Sequence, residues 1–283
     1  MKRPDGKLLR HTDPMYRVAV HLMPKRSDAM NSITLDIPYE PIRQYVRDKK
    51  KEGIRMSNMT VILAGLVRLT AEYPPINRFV MNKRVYAREK ITVGMVVAGS
   101  RKDDGTANEG TMSKIVFEPT DNIFQINEKI EQYIAENRVG DNSAEKVIHA
   151  VTSIPGVLRG AANLIRWTDK HNLLPKAIID ASPFHCSMLF TNLASIRTNH
   201  IYHHIYDFGT TSMSFAMGNP RMVPKQKNGG VVFEHCIPLG MVMDDRTVSG
   251  HYFATSFHRL KQLYADPSLM EVGLPAPIPD PEL

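Results

Sequence analysis

The chain has 283 residues, 42% of them hydrophobic and 23% charged, which excludes both an intrinsically disordered polymer and a scaffold too small to bury its own core. Two cysteines, Cys186 and Cys236, are too few for a disulfide framework or a cysteine-built zinc site, and no apolar run approaches the roughly 18–20 residues of a membrane helix. A formal net charge of +7 draws anions to the surface without selecting among them.

In chain order, residues 1–15 read as an N-terminal arm with no signal-peptide pattern, so a cytoplasmic setting is expected. Residues 16–23 and 32–37 alternate around a polar turn, which predicts an early β-hairpin. Ile42, Tyr45 and Val46 give 39–51 helical spacing. The basic cluster at its end, Arg47, Lys49, Lys50 and Lys51, is interrupted by Asp48 and reads as a solvated face that complements the helix dipole. No zinc-finger spacing, RNA-binding aromatic signature or long basic stripe accompanies it, so nucleic acid is not an expected partner. A buried helix follows over 57–73, with Asn58 as its cap and Pro74-Pro75 as its stop. Strands are predicted over 78–86, 91–98 and 114–117, with a turn at Gly105. The next helix, 122–137, places Ile123, Ile126, Ile130, Tyr133 and Ile134 on one stripe.

Residues 143–175 have the pattern of a helical hairpin, broken at Pro155-Gly156 and inserted between β-rich halves. Amphipathic helices in such a place either cover their own body or form a lid or partner surface. Strands are then predicted over 184–196, 212–217 and 230–243, with turn chemistry at Asn228-Gly229-Gly230 and Met213, Met217, Met241 and Met243 as adaptable core. A last helix spans 250–264. The Pro-rich tail, 266–283, is expected to be extended and loose, because Pro275, Pro277, Pro279 and Pro281 donate no backbone hydrogen bond. One domain over 16–265 accounts for the rest.

The passage that carries chemistry runs from Pro238 to Gly250: Pro-Leu-Gly-Met-Val-Met-Asp-Asp-Arg-Thr-Val-Ser-Gly, a strand feeding a tight polar turn into a helix. It resembles the catalytic domain of the dihydrolipoamide acyltransferases and chloramphenicol acetyltransferase, CoA-dependent enzymes whose last strand ends in Asp-His-Arg-x-x-Asp-Gly or His-His-x-x-x-Asp-Gly. Asp244, Arg246 and Gly250 match that frame. Asp245 stands where the family carries its catalytic histidine, and Ser249 where it carries a structural aspartate. The stretch 56–98, with Pro74-Pro75-Ile76-Asn77, is similar to the family's helix, turn and strands, and Leu189-Phe190-Thr191-Asn192-Leu193-Ala194-Ser195-Ile196 is similar to its Thr-Ile-Ser-Asn-Leu-Gly-Ser strand. With the final hairpin, 227–250, the resemblance covers most of 16–264.

The resemblance implies a two-layer α/β sandwich with a mixed, mostly antiparallel sheet, to which the helical hairpin is added. It also implies a homotrimer with channels between subunits, entered by acyl-CoA at one end and a small-molecule acyl acceptor at the other. Acyl transfer needs a base for the acceptor's proton, and imidazole, with a pKa near 6.5, is matched to that task. An ordinary Asp245, starting near 3.9, would be the poorer base by about 3.5 kcal/mol. His251, at the start of the last helix, is the relocated-base candidate. A hydroxyl that steadies the substrate's negative oxygen can be worth about 2.7–4 kcal/mol. Its counterpart here is Thr191, which can donate, or Leu189, which cannot. Asn192, Ser195 and Arg246 are the expected supports for CoA, with Asp244 and Gly250 as scaffold.

Two functions follow. One is an acyltransferase-family protein with a diverged site; the other is a catalytically inactive trimeric binding or assembly module on the same fold. Replacement of both His and Asp weighs toward the second, and retention of the surrounding frame toward the first. Elsewhere, His200, His203 and His204 lack a carboxylate at ligand spacing, so no metal site is expected. His185 and Cys186, as strand neighbours, would point to opposite faces and form no thiol–imidazole pair.

Overall fold

The computed structural model describes residues 3–97, 111–138 and 157–283. Their elements are β1 (Lys7–Leu8), α1 (Pro14–Leu22), β2 (Met30–Pro38), α2 (Tyr39–Lys51), α3 (Asn58–Glu72), β3 (Arg78–Met81), β4 (Arg84–Ala87), β5 (Ile91–Val97), β6 (Thr111–Phe117) and α4 (Ile123–Arg138). After them come α5 (Val157–Lys170), α6 (Lys176–Ala181), β7 (Met188–Asn192), β8 (Met213–Met217), β9 (Arg221–Lys227), β10 (Gly230–Asp244) and α7 (Gly250–Ala265).

The main sheet has the order β2-β10-β8-β7-β5-β6, and β9 pairs with the first half of β10. β7 runs parallel to both β5 and β8, while the other pairs are antiparallel, which gives the mixed, mostly antiparallel sheet. Strand periodicity of two sends Leu239, Met241 and Met243 of β10, with Met213, Phe215 and Met217 of β8, to one face. On that face lie α2, α3, α4 and α7, so the body is a two-layer sandwich with its core between sheet and helices. A smaller sheet, β1-β4-β3, stands apart.

Helix α3 is buried from Thr60 to Ala71 because neighbouring helices and the sheet enclose it. Its closest approach is to α7, where the Tyr264 ring lies against Gly65 and the Tyr264 hydroxyl donates to the Ile62 carbonyl at 2.7 Å. A β-carbon at Gly65 would collide with that ring.

Several local expectations are corrected. No hairpin joins 16–23 to 32–37: the first segment is α1, with Pro14 in the first turn and the Asp13 carboxylate accepting from Met15 N–H at 2.8 Å. β2 pairs with β10 instead, from Met30 opposite Asp244 to Pro38 opposite Cys236. The N-terminal arm is anchored rather than free, since buried Arg3 bonds Asp5 and Asp169 and β1 joins β4. Ser57, not Asn58, caps α3, its Oγ accepting from Thr60 N–H at 3.1 Å. The 78–86 strand is a hairpin, turned at Asn82 and Lys83 with φ of 48° and 59°. The 184–196 strand is shorter, ending at Asn192 in a 3-10 turn, Leu193–Ile196. The Pro-rich tail is tied down, because Asp280 takes two hydrogen bonds from the buried Arg78 guanidinium at 2.7 and 2.6 Å. The Gly105 turn and the first arm of the helical insertion lie outside the described residues; its second arm contains α5.

Candidate functional site

The corner after β10 is built around Asp244, which is fully buried. Its carboxylate accepts from Arg246 Nε at 2.8 Å, Arg246 Nη2 at 2.7 Å and the Arg246 backbone N–H at 3.2 Å. The remaining Arg246 nitrogen, Nη1, donates to the Met23 carbonyl at 3.0 Å, so this guanidinium is spent inside the protein. Thr247 completes the turn by donating from N–H and Oγ1 to the Asp244 carbonyl. Ser249 then caps α7, its Oγ accepting from Tyr252 N–H at 3.2 Å on an exposed edge.

Asp245 is left between these two anchors. Its backbone N–H donates to the Ala29 carbonyl at 2.9 Å, and its half-buried side chain keeps Oδ1 enclosed without a hydrogen-bond partner. Burial, reinforced by neighbouring Asp244 and opposed by the Asn31 side chain, pushes its carboxyl above the ordinary carboxylate range. It is thereby a stronger proton acceptor than a solvated aspartate. His251 lies exposed in the first turn of α7.

Register places the other candidates. Thr191 of β7 pairs with Ala216 of β8, which pairs with Gly240 of β10, which pairs with Thr34 of β2. This row faces away from the helix layer. Gly240 precedes Asp245 by five residues, or roughly 17 Å of strand, so Thr191 and Asp245 do not meet within one copy. Leu189, two residues before Thr191, is buried and shares its face. Asn192 and Ser195 sit together at the far end of β7, where Ser195 Oγ donates to the Asn192 carbonyl at 2.7 Å.

Among the residues expected to support CoA, Asn192 donates through Nδ2 to Met59 Sδ at 3.4 Å, and its Oδ1 is enclosed without a hydrogen-bond partner. Arg246, held by Asp244 and the Met23 carbonyl, is turned to the cleft between α1 and α5 rather than to the β7 end.

Sequence reasoning did not reach the arrangement of His200. The loop after β7 crosses the sheet at Gly240, where a β-carbon would strike the Ile201 carbonyl. His200 Nε2 lies 2.9 Å from Thr34 Oγ1, and Nδ1 is enclosed without a partner. Burial, with help from Arg221 and against Asp36, lowers its pKa, so the ring is neutral at pH 7. Only the tertiary crossing at Gly240 brings Thr34 and His200 together; no local motif signals it. His203 and His204 stack on each other at 4.9 Å. His185 and Cys186 have separate partners, Ser182 and Asp169 for the imidazole and Thr211 for the thiol.

No family model and no curated protein matches the chain. Solved structures do. A probable dihydrolipoamide acetyltransferase from Listeria monocytogenes aligns with a TM-score of 0.57 at 11% identity, covering 91% of this chain and 94% of its own. The cubic core of a pyruvate dehydrogenase multienzyme complex aligns with a TM-score of 0.57 at 14% identity, over 92% and 93%. Chloramphenicol acetyltransferase gives 0.55 at 12% identity, over 92% and 99%. No helix among the described residues is long and apolar enough to cross a membrane. The sheet order, helix layer and strand-to-helix corner thus form the acyltransferase-like fold shared by dihydrolipoamide acetyltransferase cores and chloramphenicol acetyltransferase.

Proposed function

We propose that the chain is a diverged acyltransferase acting as a homotrimer in the cytoplasm, with Asp245 as proton acceptor and Thr191 of a neighbouring copy as hydroxyl donor. The observation that carries this reading is the enclosed, unpartnered Oδ1 of Asp245, held at the strand-to-helix corner of an acyltransferase-like fold with its pKa raised. Acyl-CoA supplies the acyl group already activated as a thioester. As the acceptor attacks, its proton passes to the Asp245 carboxylate, the new acyl bond forms and the C–S bond breaks. The same proton then returns from Asp245 to the departing thiolate. The Thr191 hydroxyl donates to the carbonyl oxygen on which charge develops. Asn192 and Ser195 line the approach at the end of β7.

Self-association is supported by the β9–β10 hairpin, whose exposed Met222, Val231 and Phe233 present apolar surface beyond the main sheet. The same hairpin favours the second reading, a trimeric module without turnover, because assembly needs no base.

Thiol release from acetyl-CoA, offered thiol, hydroxyl and amine acceptors, separates the two. Catalysis at the corner requires release that Asp245→Asn abolishes and His200→Gln retains. Release unchanged in Asp245→Asn overturns the assignment. CoA binding without release in any arm selects the module.

A further inference from the structure

We propose that the cleft between α1, the β3–β4 turn and α5 is a binding site for an organic phosphate ester. The inference does not rest on proton transfer at Asp245, which does not line this cleft, although its neighbour Arg246 does. Its volume is about 380 Å³, within the range of about 300–1,000 Å³ occupied by small-molecule sites.

The floor is pre-built. Arg26 is buried and donates through Nη1 to the Tyr206 and Asp207 carbonyls and through Nη2 to the Val80 and Gly209 carbonyls. Its Nε has no hydrogen-bond partner and stands 3.8 Å from Asp244 Oδ2. These bonds pin the loop at 206–209 to the β3–β4 hairpin and fix the shape of the cavity.

The rim is cationic. Lys25, Lys83, Arg166 and Lys170 converge from three separate segments and are exposed. Arg166 and Lys170 are four residues apart on α5 and so share a helix face. Among the described residues, none of the four has a carboxylate at ion-pair distance. Two carboxylates also line the cleft, the buried Asp169, ion-paired outside it, and the exposed Asp207, which has no cationic side chain at ion-pair distance among the described residues. Asp169 takes Arg3 Nη2 at 2.8 Å and contacts His185 Nε2 at 3.1 Å, and Asp207 accepts the Arg26 backbone N–H at 3.0 Å.

Four like charges around one cavity repel one another, and an anion with two charges relieves that repulsion. Phosphate suits them, offering a guanidinium two oxygens at once and ammonium groups a dense charge. The ester half is assigned by the half-buried Met81 and Phe208 in the lining, which offer apolar surface that an inorganic ion would leave uncovered.

Titration calorimetry of the full chain with AMP, adenosine and inorganic phosphate tests this. AMP should bind at least tenfold more tightly than phosphate, adenosine should give no heat at the same concentration, and added salt should weaken AMP. The exposed double variant Arg166→Ala/Lys170→Ala, and separately Lys83→Ala, should each weaken AMP with the melting temperature unchanged, the double variant by tenfold or more. No AMP binding up to millimolar concentration overturns the proposal. So does binding that neither variant weakens, or citrate binding as tightly as AMP.

Discussion

Arg246 grips Asp244 from two residues away with two parallel hydrogen bonds, and both partners are withdrawn from solvent, at 3% and 0% exposure. The pair is architecture: it bends the chain out of β10 and leaves Asp245 between fixed neighbours. Arg246→Ala would strand a buried carboxylate whose nearest other cation, Arg26 Nε, is 3.8 Å away. The expected cost is about 3–5 kcal/mol, read from urea unfolding. A loss below about 1 kcal/mol would mean that the corner relaxes and the pair does not shape it.

Asp245 should reveal itself through pH-dependent stability. Its folded-state pKa lies above its unfolded value, so the ionised form is disfavoured by folding. Below the ordinary carboxylate pKa of about 3.9 both states are protonated and no penalty exists. As pH rises, the unfolded chain ionises first and stability falls, levelling once the folded group has ionised. Asp245→Asn is therefore expected to raise the unfolding midpoint at pH 7 and to match the parent at pH 3. A lower midpoint at pH 7 would show the carboxylate to be favourably bonded.

How much of this was legible depended on whether the determining contacts were local. Helix α2 was readable because its stripe and basic end are contiguous, and the Asp244–Gly250 corner because its frame is seven consecutive residues. Segment 16–23 was not, since eight residues of alternating character suit a helix with one stripe as well as a strand; Asp13 and Pro14 decided it. The position of Thr191 relative to Asp245 depends on strand register, which a one-residue slip would alter. The basic cleft gathers residues 25, 83, 166 and 170, and no window of sequence contains them together.

The tail illustrates the same limit and gives a further test. Proline spacing foretold that 275–281 form neither helix nor strand, but not the 3-10 turn at Pro267–Met270 or the Asp280 carboxylate bonded to Arg78, a residue only 2% exposed. Asp280→Ala leaves that guanidinium with Glu282, 3.4 Å away at a more open site. A loss of about 3 kcal/mol is expected in urea unfolding, with Asp280→Glu recovering part of it. An unchanged midpoint would mean that the Asp280–Arg78 pair contributes nothing to stability.

Thr191 and Asp245 set the decisive experiment for a shared site. Five residues of register separate their rows, so a reaction that uses both must take one from each of two copies. Thr191→Val should lower turnover by a factor on the order of 10²–10³, the usual cost of losing one oxyanion donor, and Asp245→Asn should abolish it. Neither homotrimer then works alone. Mixed trimers are different: a site pairing Thr191 from an Asp245→Asn chain with Asp245 from a Thr191→Val chain is intact. Random equal mixing makes about a quarter of all sites intact, so co-refolded chains should regain about a quarter of parental thiol release. Recovery no greater than the mean of the two homotrimers would mean that the residues do not act across a subunit boundary.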